Sequence, residues 1–145
     1  MAKVTIKKSD IEGFYSGAAG EFRINIDRSG NNSPRSIDLV LLGLGACTIS
    51  TVAHYLRRKR LPQDNLAVEL SADLDEKGNI YKNLTVLLRV DDQIPQEIRK
   101  VLVGVAKTCR IHRTLESRPH VAIELAELTV TSVSRPDLRR TATRS

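Results

Sequence analysis

Two cysteines are the residues of this chain best suited to chemistry. Cys47 lies at the centre of the stretch LVLLGLGACTISTVAHYL (39–56), which contains no Lys, Arg, Asp or Glu, and Cys109 follows 62 positions later. A reactive thiol needs a nearby cation, a helix N-terminus or a hydrogen-bond donor to stabilise its thiolate. Without one, a buried cysteine is a small apolar core residue. Cys47 lies about three turns into its predicted helix, too far from the N-terminus for the helix dipole to act on it. Activation must therefore come from across the fold.

A metal site is the competing interpretation of the second cysteine. Cys109-x-x-His112 could supply two ligands, whereas a tetrahedral zinc site needs three or four. Only His54, His120 and Cys47 remain to complete it. The sequence also lacks a Gly-rich phosphate loop and a paired-histidine zinc helix. We therefore expect neither a metal nor a cofactor.

The composition is that of a soluble globular domain, with 41% hydrophobic and 28% charged residues among 145. The start, MAKVTIKKSD, has no apolar segment of a signal peptide. We expect a cytoplasmic protein with reduced thiols. We further expect a single domain over residues 1–134, followed by a basic, flexible tail at 135–145.

The net charge of +6 raises the question of a nucleic-acid partner. Aromatic residues, which stack on bases, make up only 3% of the chain, and the basic residues are scattered. The densest basic run, 57–60, directly follows the apolar stretch, where cations meet the negative end of a helix dipole. The sequence therefore disfavours nucleic acid as a partner.

Alternating apolar and polar residues predict a β meander at the start of the chain, with strands at 2–8, in IEGFYSG and at 21–27. A hairpin turning at 76–79 is predicted after the long apolar segment. A second helix then opens at 94–95 and ends at Cys109. A short helical piece over about 111–117 and a last strand at 120–130 complete the predicted order.

The long apolar segment predicts a helix with Ser33 as N-cap and Pro34 as first helical residue, ending before Pro62. Its eighteen uncharged residues just reach the length of a bilayer span. Small and polar residues dilute its hydrophobicity, so we expect a buried central helix and no membrane partner. One domain of this size cannot cover such a helix on every side, which predicts a homodimer. Gly43 and Gly45 permit close approach of another backbone.

Two separate segments resemble a known family. Residues 33–48 (SPRSIDLVLLGLGACT) and 55–62 (YLRRKRLP) are similar to the central helix of the osmotically inducible and organic hydroperoxide resistance (OsmC/Ohr) superfamily. In that family an acidic residue introduces an L-L-L-x-x-L-G-A-C helix. Residues 109–115 (CRIHRTL) are similar to its second signature, C-P-V-H-R-T-L. With the order of elements, the resemblance covers nearly all of residues 3–127.

The resemblance implies an α+β fold, in which two chains intertwine as a homodimer with antiparallel sheets around long central helices. It also implies thiol peroxidase chemistry on a hydroperoxide substrate. Cys47 would become a sulfenic acid, Cys109 would condense with it to a disulfide, and a dithiol reductant would restore both.

The chain departs from the family pattern around these cysteines. The family's helper residues are an N-terminal arginine and a glutamate before the cysteine helix. Here the acidic residue is Asp38, nine positions before Cys47 and on the opposite helix face, so that it reaches the partner's thiol or caps the helix. Arg23 is favoured as the arginine over Arg28 and Arg35, because it lies in a strand.

The signature proline after the second cysteine is replaced by Arg110, which could itself lower the pKa of Cys109. His112 and Arg113 could act likewise, or bind backbone carbonyls at a helix end.

Three functions remain open at this point. The first is a thiol peroxidase with Cys47, Cys109, Asp38 and Arg23 in its site. The second is a non-enzymatic dimer of the same fold that binds an apolar small molecule in its interface cleft, with both cysteines as packing residues. The third, a basic nucleic-acid accessory protein, is disfavoured by the lack of aromatic residues.

Overall fold

A computed structural model of the chain describes residues 1–126. This part of the chain is an α+β fold of five strands and three helices. The strands are β1 (Thr5–Lys8), β2 (Phe14–Ala19), β3 (Phe22–Asp27), β4 (Ala67–Asp75) and β5 (Ile80–Arg89). The helices are α1 (Ser36–Arg58), α2 (Gln96–Ala106) and α3 (Arg110–Glu116).

The N-terminal sheet is the predicted β meander, with β2 between β1 and β3 and both pairings antiparallel. Within the described residues, its strands make no extensive contact with the helices or with the second sheet. Several of its apolar side chains are consequently exposed, among them Ile6, Phe22 and Ile24. Within residues 1–126, this sheet therefore lacks a hydrophobic partner.

A tight loop joins this sheet to α1. The buried carboxylate of Asp27 accepts hydrogen bonds from Ser29 and Asn32. The backbone N–H of Asp27 donates to the Pro34 carbonyl. The Pro34 bond holds the chain to the end of β3, so α1 begins only at Ser36, with Arg35 as N-cap. The prediction of Ser33 as N-cap was therefore wrong by two positions.

Helix α1 buries one face against β4, α2 and α3. Val52 and Leu56 are fully buried there and form a core with Ile94 and Leu102. A Cβ on Gly45 would lie 2.8 Å from Leu70 Cδ1, so this glycine lets α1 approach β4 closely.

The opposite face of α1 is open. Val40 and Leu42 are 44% and 62% exposed, and a Cβ on Gly43 would meet no atom within 4 Å. By length and composition alone, α1 could cross a membrane, but it is also the core helix of this fold. Only 22% of its most apolar window is buried, so the described residues of one chain do not provide the predicted cover on every side.

The second half of the chain follows the predicted order up to α3. Strands β4 and β5 form an antiparallel hairpin with an irregularity between Ser71 and Asp73. Helix α2 ends at Ala106 and not at Cys109, because Cys109 instead begins α3 as its N-cap. The order therefore holds, with the predicted helix end corrected by three positions.

The predicted last strand at 120–130 is not formed in the described residues, which have no regular structure over 118–126. Val121, Ile123 and Leu125 alternate along this segment and are 76%, 94% and 96% exposed. A strand requires hydrogen bonds from a neighbour, and none pairs with this segment here. Residues 127–130 of the prediction, and the predicted tail at 135–145, lie outside the described residues.

Candidate active site

The two cysteines meet where α1 packs against α3. Cys47 lies near the middle of α1, and Cys109 is the residue immediately before α3. Their closest approach is 2.7 Å. Cys109 is buried and Cys47 is partly buried, and both are free thiols. The fold thus brings together the two thiols that the sequence singled out.

The start of α3 supplies hydrogen-bond donors to both sulfur atoms. The backbone N–H groups of Arg110 and Ile111 donate to the Cys47 thiol. The N–H of His112 donates to Cys109 Sγ at 3.5 Å, so Cys109 caps the helix with its own side chain. The first N–H groups of a helix have no partner within the helix, which leaves them free for this role.

These contacts shift the protonation of Cys47. Burial raises the pKa of its thiol, but four groups oppose burial and together lower the pKa below its ordinary value. They are the Cys109 side chain, the N–H of Ile111, the N–H of Arg110 and the positive charge of Arg110. The activation that Cys47 cannot obtain from its own helix is therefore supplied by the N-terminus of α3.

A polar cleft of about 800 Å³ opens beside Cys47. It lies between α1 and α3, and its walls carry hydroxyl groups and two arginines. The lining residues are Cys47, Ser50, Thr51, Thr108, Arg110, Ile111, Arg113, Thr114 and Ser117. A molecule that reaches the Cys47 thiol through this cleft therefore passes hydroxyl and guanidinium groups.

A second cleft of about 360 Å³ is mostly apolar. It is bounded by β5, α2, α3 and the buried side of α1, and it does not include Cys47. Its lining residues are Leu44, Thr48, Leu84, Val86, Leu88, Val103, Ala106, Lys107, His112, Leu115 and Glu116. The fold therefore separates an apolar cleft from the cleft that contains Cys47.

Asp38, the predicted acidic helper, lies at the start of α1. Its carboxylate accepts the Arg35 N–H at 2.9 Å and is paired with the Arg35 guanidinium at 2.8 Å. The Arg35 side chain and backbone lower the pKa of Asp38 to about 2. Asp38 is not among the groups of the described chain that shift the pKa of Cys47. The geometry is that of a helix cap, one of the two roles predicted for it.

Arg23, the predicted arginine, lies on β3 in the N-terminal sheet. Its guanidinium donates to the carbonyls of Gly20 at 2.8 Å and Phe22 at 3.0 Å. Arg23 is also absent from the groups of the described chain that shift the pKa of Cys47. The catalytic roles of Arg23 and Asp38 therefore remain predictions.

His112, a candidate zinc ligand, lies beside Glu116 at the apolar cleft. Its Nε2 lies 3.3 Å from Glu116 Oε1, and its ring lines the apolar cleft. Among residues 1–126, no three His, Cys, Asp or Glu side chains are grouped so that they could hold a metal ion.

Comparison with known proteins places this geometry in a family. The family model for OsmC-like proteins matches residues 29–124, which include both cysteines and all three helices. The chain belongs to the OsmC-like protein family. A search of curated proteins gives no match.

Solved structures of OsmC-like proteins share the fold at low sequence identity. An OsmC-like protein from Mycoplasma pneumoniae is 17% identical, with a TM-score of 0.70 over 80% of this chain and 87% of that chain. The organic hydroperoxide resistance protein OhrB of Bacillus subtilis is 20% identical, with a TM-score of 0.58 over 79% and 89%. An OsmC-like protein from Vibrio cholerae is 8% identical, with a TM-score of 0.61 over 80% and 94%.

Sequence reasoning missed the donors that activate Cys47. The backbone N–H groups of Arg110 and Ile111 have no side-chain signature, although a helix starting directly after Cys109 places such groups at its first turn. The predicted short helix at 111–117 already implied free N–H groups close after Cys109. What it could not reveal is that this turn faces Cys47.

Proposed function

We propose that the chain is a thiol-dependent peroxidase that reduces organic or small hydroperoxides through Cys47 and Cys109. The observation that carries the proposal is the approach of the two thiols to 2.7 Å at the N-terminus of α3. The lowered pKa of Cys47 favours its reactive thiolate. The similar structure named as an organic hydroperoxide resistance protein supports the same chemistry.

The proposed cycle has three steps. The Cys47 thiolate attacks the terminal oxygen of the hydroperoxide, the O–O bond breaks, and the alkoxide leaves and takes a proton to become an alcohol. Cys47 is thereby oxidised to a sulfenic acid. The Cys109 sulfur then attacks the Cys47 sulfur, which releases water and forms a disulfide. A dithiol reductant restores both thiols by thiol–disulfide exchange, and we place this cycle in the cytoplasm, where such reductants are available.

We propose that the active form is a homodimer. The outward face of α1 carries the exposed Val40 and Leu42 beside Gly43, and the N-terminal sheet lacks extensive contact with the helices of its own chain. Contiguous exposed apolar surface of this kind is typical of an interface. A second copy whose N-terminal sheet covers this face would bury both surfaces at once.

The dimer also provides a route for the predicted helpers to reach the thiol. Arg23 lies on the N-terminal sheet, which makes no extensive contact with α1 within the described residues of its own chain. If that sheet packs on the partner, Arg23 acts on the partner's Cys47. Asp38, at the start of α1, would likewise act on the partner's Cys47.

The second candidate function is a non-enzymatic OsmC-like dimer that binds an apolar small molecule. The apolar cleft of about 360 Å³ favours it, since clefts of this size and character accept small ligands. In that case Cys47 and Cys109 would be packing residues. The two candidates differ in what happens to the thiols when peroxide is added.

The deciding experiment adds one equivalent of tert-butyl hydroperoxide to the reduced protein. The peroxidase proposal predicts loss of two thiols and an intrachain Cys47–Cys109 disulfide, seen by mass spectrometry as a loss of about two mass units. Cys47→Ser should abolish peroxide consumption. Cys109→Ser should consume peroxide once and leave a Cys47 sulfenic acid that a dimedone probe traps. Retention of both thiols in folded protein would refute the peroxidase and favour the binding protein.

A further inference from the structure

The cleft that contains Cys47 is positively charged. Arg110 and Arg113 both line it, and none of its lining residues is acidic. Neither guanidinium takes part in an ion pair with another described residue. Within the described residues of one chain, two cations thus share a cleft without a counter-charge, which raises the local concentration of anions. In the proposed dimer, Asp38 arrives paired with Arg35 and does not cancel this charge.

Four of the five hydroxyl groups of the cleft do not compete with the arginines as donors, the exception being Ser50. Four of them donate to backbone carbonyls of their own helices or turns, at 2.9, 2.7, 2.8 and 2.7 Å. They belong to Thr51, Thr108, Thr114 and Ser117. Their remaining lone pairs accept hydrogen bonds, so the guanidinium N–H groups are the donors best placed for an anion.

The apolar cleft lies on the other side of α3 and does not include Cys47. A purely apolar hydroperoxide would therefore place its peroxide group at Cys47 with its hydrocarbon against hydroxyls and guanidinium groups. Such surroundings give a hydrocarbon less hydrophobic gain than the apolar cleft would. A substrate with a charged end gains at the same walls.

We propose that the thiol site selects small hydroperoxides that carry a carboxylate, and that Arg113 binds this carboxylate. Arg113 follows Arg110 by three residues in α3, so both side chains lie on neighbouring positions of one helix face. Arg110 acts on the thiol itself through its charge, whereas Arg113 offers its planar fork to the substrate. This inference rests on the proposed function, and the carboxylate is unchanged by the reaction.

Alkylation of Cys47 tests the charge of the cleft without any peroxidase activity. Iodoacetate and iodoacetamide differ mainly in charge. The rate of Cys47 alkylation by iodoacetate is divided by the rate with iodoacetamide, both measured by peptide mass spectrometry. This ratio is then divided by the same ratio for free N-acetylcysteine. The proposal predicts a normalised ratio of about three to ten, falling as the ionic strength rises. A ratio of one for the unmodified protein overturns it.

Two arginine variants identify the group responsible. Arg113→Gln should bring the ratio most of the way towards one. Arg58→Gln is the matched control, because Arg58 also lies in the last turn of a helix but not in this cleft, and it should leave the ratio unchanged. Equal ratios for Arg113→Gln and the unmodified protein would refute the role of Arg113.

Kinetics with three hydroperoxides complete the test. The probes are 4-hydroperoxy-4-methylpentanoate, its methyl ester and tert-butyl hydroperoxide. The proposal predicts a kcat/KM about fivefold or more higher for the carboxylate than for the ester, with the preference lost in Arg113→Gln. Equal turnover of acid and ester overturns the inference and leaves the peroxidase in place. Failure to turn over any of the three refutes the peroxidase, and the inference with it.

Discussion

Cys47 in the middle of α1 and Cys109 at the N-cap of α3 approach to 2.7 Å, although 62 positions separate them in the sequence. The contact depends on the packing of α1 against α3 and on the turn that ends α2 just before Cys109. Because the same turn aims the first N–H groups of α3 at Cys47, the partner thiol and the activating donors arrive together. A substitution of Arg110, the first residue of α3, should therefore change the pKa of the Cys47 thiol.

Substitutions of Arg110 should separate the contribution of its charge from that of its backbone. Arg110→Gln removes the charge and keeps the N–H, whereas Arg110→Pro removes both. Proline suits the first position of a helix, and Cys109 has the extended backbone that a residue before proline requires. Both variants should raise the pKa of Cys47, and Arg110→Pro should raise it more.

The pH dependence of iodoacetamide alkylation at Cys47 measures these shifts. The unmodified protein should reach half-maximal rate at a lower pH than free N-acetylcysteine, because its pKa is lowered. Arg58→Gln, remote from the thiol, is the control for net charge. Identical profiles for the Gln and Pro variants would show that the Arg110 N–H does not act on the thiolate.

Gly43 and Gly104 offer a matched test of the proposed dimer. Each lies within a helix, and a Cβ on either would meet no atom within 4 Å in the single chain. On helix propensity alone, each Gly→Ala change should stabilise the fold by about 0.8–1 kcal/mol. If a second subunit packs on α1, Gly104→Ala should stabilise the protein, whereas Gly43→Ala should weaken dimerisation.

Urea unfolding at several protein concentrations, together with light scattering, distinguishes these cases. The molar mass of the unmodified protein, measured by light scattering, should be about twice the chain mass of 16.1 kDa. Equal stabilisation by the two alanines, with no dependence on concentration, would show that the outward face of α1 is not an interface.

The sequence predicted the elements well where local periodicity determines them. The meander and the hairpin depend on spacing within a few residues, and the structure confirms them. On the predicted apolar face of α2, Ile98, Leu102 and Val105 pack in the core, whereas Val101 is 45% exposed. The last strand failed for a related reason. The alternation of Val121, Ile123 and Leu125 shows that the segment suits a strand, but it carries no information about which strand would pair with it.

The site divides in the same way. Cys47 and Cys109 could be named from their motifs, because a signature preserves side chains. The donors at Arg110 and Ile111 act through backbone N–H groups that every residue except proline possesses. The cationic cleft could not be predicted either, because it requires α1 and α3 to lie side by side.

The buried carboxylate of Asp27 should make stability depend on pH. Hydrogen bonds from the Ser29 hydroxyl, from the Asn32 and Ser29 N–H groups and from the Asn32 side chain outweigh burial and lower its pKa to about 2. A carboxylate with a lowered pKa stabilises the fold above its unfolded pKa of about 3.9, and this stabilisation is lost as the pH falls towards 2. Asp27→Asn should therefore be less stable at pH 7, and its deficit should shrink below about pH 4.

Urea unfolding of both proteins between pH 7 and the lowest pH at which they stay folded measures this deficit. Asp10→Asn, at an exposed position before β2, is the control and should show no comparable deficit at pH 7. A deficit for Asp27→Asn that stays constant down to pH 3 would contradict the predicted role of the ionised carboxylate.

Complementation between subunits should reveal whether Arg23 acts on the partner's thiol. Arg23 lies on a sheet without extensive contact to its own α1, so a catalytic role requires the second copy. Arg23→Gln and Cys47→Ser should each inactivate the homodimer. In a heterodimer of the two variants, one site combines an intact Cys47 with an intact Arg23, while the other lacks both. Such a heterodimer, isolated with two affinity tags, should recover about half of the normal kcat, since a two-fold dimer has two equivalent sites.

The same pairing with Asp38→Asn tests Asp38. Full activity of the Arg23→Gln homodimer would exclude Arg23 from catalysis, and a heterodimer as inactive as its parents would place Arg23 beside the thiol of its own chain.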